Sequence, residues 1–111
     1  MLQSIGRIVV PVAGTPVRVT SGQTDPAERF ACHGVLIQAR PGNAGRVYIG
    51  TATMNRVAET GLYAILAIPT ANQLPTFSAA LTLSPNAIQL QDLFIDVDVN
   101  NDGVLVSVLV T

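Results

Sequence analysis

The sequence contains no lysine, no tryptophan, one cysteine and one histidine, and only 12% of its residues are charged. Each shortage removes a class of function. The six Arg residues are spread singly from Arg7 to Arg56, so no basic patch forms. A nucleic-acid binder needs clustered cations to displace phosphate counterions, with aromatics to stack bases, and neither is present. Cys32 has no partner for an intrachain disulfide, and one Cys with one His cannot build a structural zinc site within the chain. Apolar runs such as Leu62 to Pro69 are too short to cross a bilayer. The opening Met1-Leu2-Gln3-Ser4 lacks the basic region and apolar stretch of a secretory signal. A soluble, intracellular chain is expected, with no nucleic-acid or membrane partner.

What is abundant is apolar residues, 49% of a chain of 111. A chain this short buries only about two-thirds of its unfolded surface, so some apolar area stays outside, where it marks contact with other chains. No Pro/Gly/Ser-rich or highly charged stretch divides the sequence, which reads as a single domain over residues 1–111.

Helix signals are scarce because β-branched residues dominate the apolar positions and Pro or Gly interrupts every long window. Gly6 to Val12 alternates, with Ile8, Val10 and Val12 on one face, and Ala13-Gly14-Thr15-Pro16 supplies a turn. Val17 and Val19 restart the alternation, and Thr20 to Glu28 reads as a loop. Phe30 to Ala39 is a strand with Val35 and Ile37 on one side. Arg40 to Gly45 is a turn signal that predicts a hairpin into Arg46–Thr51. Met54 to Gly61 reads as a polar connection, and Leu62 to Ile68 as a strand apolar on both faces. Pro69 and Pro75 bracket a loop, and Phe77 to Leu83 alternates until Ser84-Pro85-Asn86 ends it.

At the C-terminal end Leu93–Val99 and Val104–Val110 flank Asn100-Asn101-Asp102-Gly103, which predicts a hairpin. Its core face carries Leu93, Ile95, Val97 and Val99 with Val104, Val106, Val108 and Val110. The other face carries Phe94, Asp96 and Asp98 with Leu105, Ser107 and Leu109, too apolar for open water and too polar for a core. Phe94, Asp96, Leu105, Ser107 and Leu109 are therefore the candidate interface. In all, eight or nine short antiparallel strands predict an all-β, two-sheet, jelly-roll-like β-sandwich, with a closed barrel as the alternative.

Catalytic signals are weak. Asp98 to Gly103 matches the first positions of a calcium loop, D-x-[DN]-x-[DN]-G, but Leu109 stands where the bidentate glutamate belongs, so a plain turn is the reading. Asp96 and Asp98 share one strand, not two walls of a cleft with aromatic sugar platforms, and read as interface or solubilising acids rather than a glycosidase pair. Cys32 and His33 are strand neighbours pointing to opposite faces, unsuited to nucleophile and base. No phosphate loop or nucleophile elbow occurs. The expectation is a non-enzyme without metal or cofactor.

Gly6-Arg7-Ile8-Val9-Val10-Pro11, Gly45-Arg46-Val47-Tyr48-Ile49-Gly50, Leu93-Phe94-Ile95-Asp96-Val97-Asp98 and Asp102-Gly103-Val104, taken in order, resemble small virion proteins of tailed bacteriophages, in particular capsid decoration (cement) proteins. The resemblance implies a compact β-sandwich or jelly roll, a homotrimer, seated on the capsid surface after assembly in the host cytoplasm. There it would tie neighbouring major capsid protein subunits together. A tail, neck or head-fibre-base component needs the same properties. A receptor- or carbohydrate-binding β-module wants more exposed aromatics than Tyr48 and Tyr63 supply.

Overall fold

The computed structural model describes residues 2–19, 32–80 and 92–110. Among the described residues eight strands run in the order β1 (Leu2–Val9), β2 (Val17–Arg18), β3 (Cys32–Ala39), β4 (Val47–Asn55), β5 (Thr60–Leu66), β6 (Thr76–Ala80), β7 (Phe94–Val97) and β8 (Gly103–Val110). They form two four-stranded antiparallel sheets, ordered β1-β8-β3-β6 and β2-β7-β4-β5. The pairs β1·β8, β2·β7, β3·β6 and β4·β5 are the rungs of one long antiparallel ribbon, rolled so that successive rungs fall in alternate sheets. That is jelly-roll topology, as the strand count and turn spacing predict.

Alternation builds the core. Ile8, Val104, Val106, Val108, Val35 and Ile37 face inward from the first sheet, and Val47, Ile49, Leu66, Ile95 and Val97 from the second. Val10, Val19 and Leu93, just beyond their strands, complete it. Close approach constrains two glycines. A Cβ on Gly103 would collide with the Ile8 carbonyl oxygen where β8 meets β1, and one on Gly50 would collide with the carbonyl oxygen of Gly61, itself at φ +69°. Side chains would hold these neighbouring backbones apart.

The rolled topology overturns both hairpin expectations. Residues 40–46 lead from β3 in one sheet to β4 in the other, and residues 98–102 lead from β7 to β8 across the same gap. Turn chemistry specifies that the chain reverses, not which sheet the next strand joins. The inward residues of β7 and β8 were nonetheless legible, because two strands that face each other across a sandwich and two strands of a hairpin present the same alternating pattern. Val99 lies in the connection and is 41% exposed, not core.

Val12 is also exposed, at 55%, because β1 ends at Val9 and Pro11 cannot donate to a ladder. The true hairpin joins β4 to β5. Its reversal occupies residues 56–59, where Asn55 Oδ1 accepts from the N–H groups of Val57 and Ala58 at 3.0 and 2.9 Å, an Asx turn. β5 is the last of the described strands in its sheet, and it alternates: Leu62, Ala64 and Leu66 turn inward while Tyr63 and Ile65 are exposed, not buried on both faces. The expected loop over residues 20–28 and the strand end and turn over 81–86 lie outside the described residues. Among the described residues no helix is long and apolar enough to cross a membrane.

Candidate functional site

Three connections, residues 10–16, 40–46 and 98–102, are tied together by side chain to backbone hydrogen bonds. Asn43 Nδ2 donates to the Gly103 carbonyl at 2.8 Å, and Gly103 N–H returns a bond to Asn43 Oδ1 at 3.0 Å. The buried Asp102 carboxylate accepts from the N–H groups of Ala44 at 3.0 Å and Gly45 at 2.8 Å. Asn100 Oδ1 accepts from Ala13 N–H at 2.8 Å. Asp96 Oδ1 accepts from the N–H groups of Gly14 and Val97, each at 2.8 Å. Buried carboxylates need such donors to offset the loss of water.

Asp98 gathers the remaining polar groups. Arg56 Nη1 reaches its carboxylate at 2.8 Å, Arg46 Nε at 3.4 Å and the Tyr48 hydroxyl at 3.1 Å. Arg56 Nε lies 3.6 Å from Asp96 Oδ2, beyond hydrogen-bond distance, and among the described residues it has no hydrogen-bond partner. Burial, together with donation to Asp98, holds the Tyr48 phenol above the ordinary tyrosine value of 10.0, because its loss of a proton would set a phenolate beside a carboxylate. A shallow depression of about 180 Å³ lies beside Arg56 and Asp96, lined also by Gly14, Met54, Asn55 and Val57.

The calcium-like spacing therefore does not converge. Asp98, Asn100 and Asp102 each turn to a different set of donors from this chain, and among the described residues no cluster of three His, Cys, Asp or Glu side chains could hold a metal. Asp96 is 2% exposed and held by backbone donors, so it does not face Asp98 across an open cleft. Cys32 and His33 open β3 at a bulge in its pairing with β8.

The candidate interface residues do not share a face. Phe94 and Asp96 lie on the outer side of β2-β7-β4-β5, whereas Leu105, Ser107 and Leu109 lie on the outer side of β1-β8-β3-β6. The two outer faces differ in chemistry. The first carries the charges: the Arg18 guanidinium sits 5.0 Å above the Phe94 ring and that of Arg46 lies 5.8 Å from the Tyr48 ring, with Asp98 and Arg56 close by, and Ile65, opposite Tyr48, and Tyr63 are exposed on the same face.

The second is nearly neutral. Register places Arg7, Leu105, Gln38 and Thr76 in one cross-strand row, Ser4, Ser107, Leu36 and Ser78 in the next, and Leu109 beside Gly34. Leu36, Leu105 and Leu109 are 39%, 41% and 47% exposed, and Arg7 is the single charge among these named residues. Sequence reasoning missed Leu36, whose outward turn follows from the inward Val35 and Ile37. It also missed Asn43 and Arg56, polar residues in turns whose partners are remote in sequence.

Comparison with protein-family models, with curated proteins and with solved structures found no match.

Proposed function

We propose that this chain is a structural virion protein, a capsid decoration protein that binds the outer lattice of a tailed-bacteriophage head as a homotrimer and stabilises it. The observation that carries this reading is the neutral outer face of β1-β8-β3-β6, with Leu36, Leu105 and Leu109 in contact with water. Apolar area in a nearly uncharged setting favours burial against another protein, since few ions have to be stripped of solvent. The jelly-roll sandwich and the ordered resemblance to cement proteins support it. So does the engagement of Asp96, Asp98 and Asp102 by donors of the same chain, which suits a binding role better than a catalytic one.

Four strands about 4.8 Å apart, three of eight residues and one of five at about 3.3 Å each, give a footprint of about 460 Å². That is below the roughly 800 Å² per partner of a standard interface, so one contact is weak. Three linked contacts in a trimer raise avidity by about 10²–10⁴ without any new chemistry. Binding to the assembled lattice and not to free subunits then stabilises it by about 2.7 kcal/mol per site at a hundredfold excess over Kd.

The test is to strip the chain from particles and add it back. Stripped particles should release their genome at lower temperature, and purified protein should restore resistance. If stripped and replenished particles melt alike, or labelling places the chain on the tail alone, the decoration reading fails, and the tail outcome makes it a tail component.

A further inference from the structure

Asp102-Gly103 is the chain's single Asp-Gly pair. Among aspartyl pairs it is the one most open to attack on its own side chain, because glycine has no Cβ to shield the amide nitrogen or restrict its backbone. The nitrogen of the glycine bonds to the side-chain carboxyl carbon and one water leaves, closing a five-membered succinimide. Water then opens the ring at either carbonyl. Opening at the side-chain carbonyl restores aspartate, whereas opening at the main-chain carbonyl leaves isoaspartate, with one extra carbon in the backbone and no change in mass.

This fold requires the labile pair. A Cβ at 103 would collide with the Ile8 carbonyl oxygen, and Asp102 supplies the acceptor for Ala44 and Gly45. The same fold occupies every group the reaction uses. The Gly103 nitrogen, the attacking atom, donates its hydrogen to Asn43 Oδ1, and the Gly103 carbonyl accepts from Asn43 Nδ2 at 2.8 Å and from Arg40 N–H at 3.2 Å. Asp102 N–H donates to the Val99 carbonyl, and the Asp102 carbonyl accepts from Val10 N–H at 3.0 Å. Ring closure would break the bonds to Asn43 Oδ1, Ala44 and Gly45 together, in a buried place where water does not replace them.

We infer that Asp102-Gly103 is a latent isomerisation site that the native fold keeps silent, with the Asn43 side chain as its gate, and that isomerisation is a one-way exit from the latched fold. Asn43 is the gate because both of its side-chain bonds go to Gly103. The exit is one-way for a geometric reason. An extra backbone carbon displaces Gly103 where β8 enters its ladder with β1, opposite Val9, and the carboxylate left behind sits one bond closer to the main chain than the one that meets Ala44 and Gly45. The site belongs to the chain by itself and does not depend on where the chain acts.

The test is to incubate the full chain, native and in denaturant, and to follow residue 102 by peptide mapping. Isoaspartate resists a protease that cuts before aspartate, accepts enzymatic methylation and leaves the peptide mass unchanged, whereas deamidation of Asn100 or Asn101 raises it. Isoaspartate should accumulate at 102 in denaturant and at least about a hundredfold more slowly in the native chain, where the open form is a small fraction. Folded Asn43→Ala should react about 10- to 100-fold faster than the native chain, the scale of losing two hydrogen bonds. Asp102→Asn gives a reading that keeps Asn43: its Asn-Gly pair should deamidate, with a rise in mass, much faster in denaturant than in the folded variant.

Equal rates in native and denatured chains, or in folded and denatured Asp102→Asn, overturn the inference. So does a folded Asn43→Ala that is as inert as the native chain. The isoaspartyl form, once separated and refolded, should melt below the native chain, and a native Tm for it overturns the one-way exit.

Discussion

The carboxylate of Asp102 lies 2.8 Å from the backbone nitrogen of Gly45, a hydrogen bond that joins the β7–β8 connection to the β3–β4 connection across 57 positions of sequence. Both connections cross from one sheet to the other, so this bond and its neighbour from Ala44 latch the two crossings together. Asp102→Ala should cost about 2–4 kcal/mol, since it leaves the buried Gly45 N–H and the partly buried Ala44 N–H without an acceptor. For a chain of this size that is a fall in Tm of about 9–17 °C, read by thermal unfolding. Asp102→Asn keeps one acceptor oxygen and should recover part of the loss. An unchanged Tm in Asp102→Ala would contradict the latch.

The same engagement governs metal affinity. To bind calcium, Asp98 would have to leave Arg46, Arg56 and Tyr48, and Asp102 would have to leave Ala44 and Gly45, while Leu109 stands where the bidentate ligand belongs. Calorimetric titration with calcium should give no saturable heat at micromolar concentration. Saturable binding that Asp98→Ala abolishes would show that the loop rearranges around an ion.

Tyr48 sets a pH limit. Its phenol is held above the ordinary value by burial and by its bond to Asp98, so the folded state retains a proton that the unfolded chain loses near pH 10. The proton-binding difference makes stability fall as pH rises above about 10, while below that value the contribution is fully present. In Tyr63→Phe, which leaves Tyr48 as the single tyrosine, absorbance titration should report ionisation above pH 10. Tyr48→Phe should flatten the alkaline decline in stability. Ionisation of Tyr48 below the ordinary value would rule out the donation to Asp98.

The sequence discloses inward faces far better than partners. Val35, Ile37, Ile95, Val97, Val104 and Val106 were readable because a strand's period of two is local and needs no knowledge of its neighbour. The pairing of β7 with β4 and of β8 with β1 was not, because Asp98 to Gly103 has the chemistry of a tight turn whether the chain doubles back within a sheet or crosses to the other. Once β7 and β8 separate, the single mixed face built from Phe94, Asp96, Leu105, Ser107 and Leu109 divides between opposite sides of the sandwich. Asp96, which looks like an exposed acid by alternation, is buried because the β1–β2 connection supplies Gly14 N–H and the β4–β5 turn supplies Arg56. Neither contact has a signal in the residues next to it.

That division gives a discriminating experiment on the proposed docking face. Leu105 is exposed on β8 and makes a small contribution to the isolated fold, so Leu105→Asp should change stability by no more than about 0.5 kcal/mol. On the particle it would place an unpaired charge in the contact and should abolish retention. Phe94 is half-buried beneath the Arg18 guanidinium on the other sheet. Phe94→Ala should therefore cost the isolated chain about 1–2 kcal/mol in lost burial and cation–π attraction, yet leave particle retention intact once the variant is folded. Thermal unfolding and co-sedimentation with stripped particles read the two effects separately. Retention lost with Phe94→Ala but kept with Leu105→Asp would move the docking surface to the charged face of the sandwich, where Arg18, Arg46 and Asp98 would then select the partner by charge.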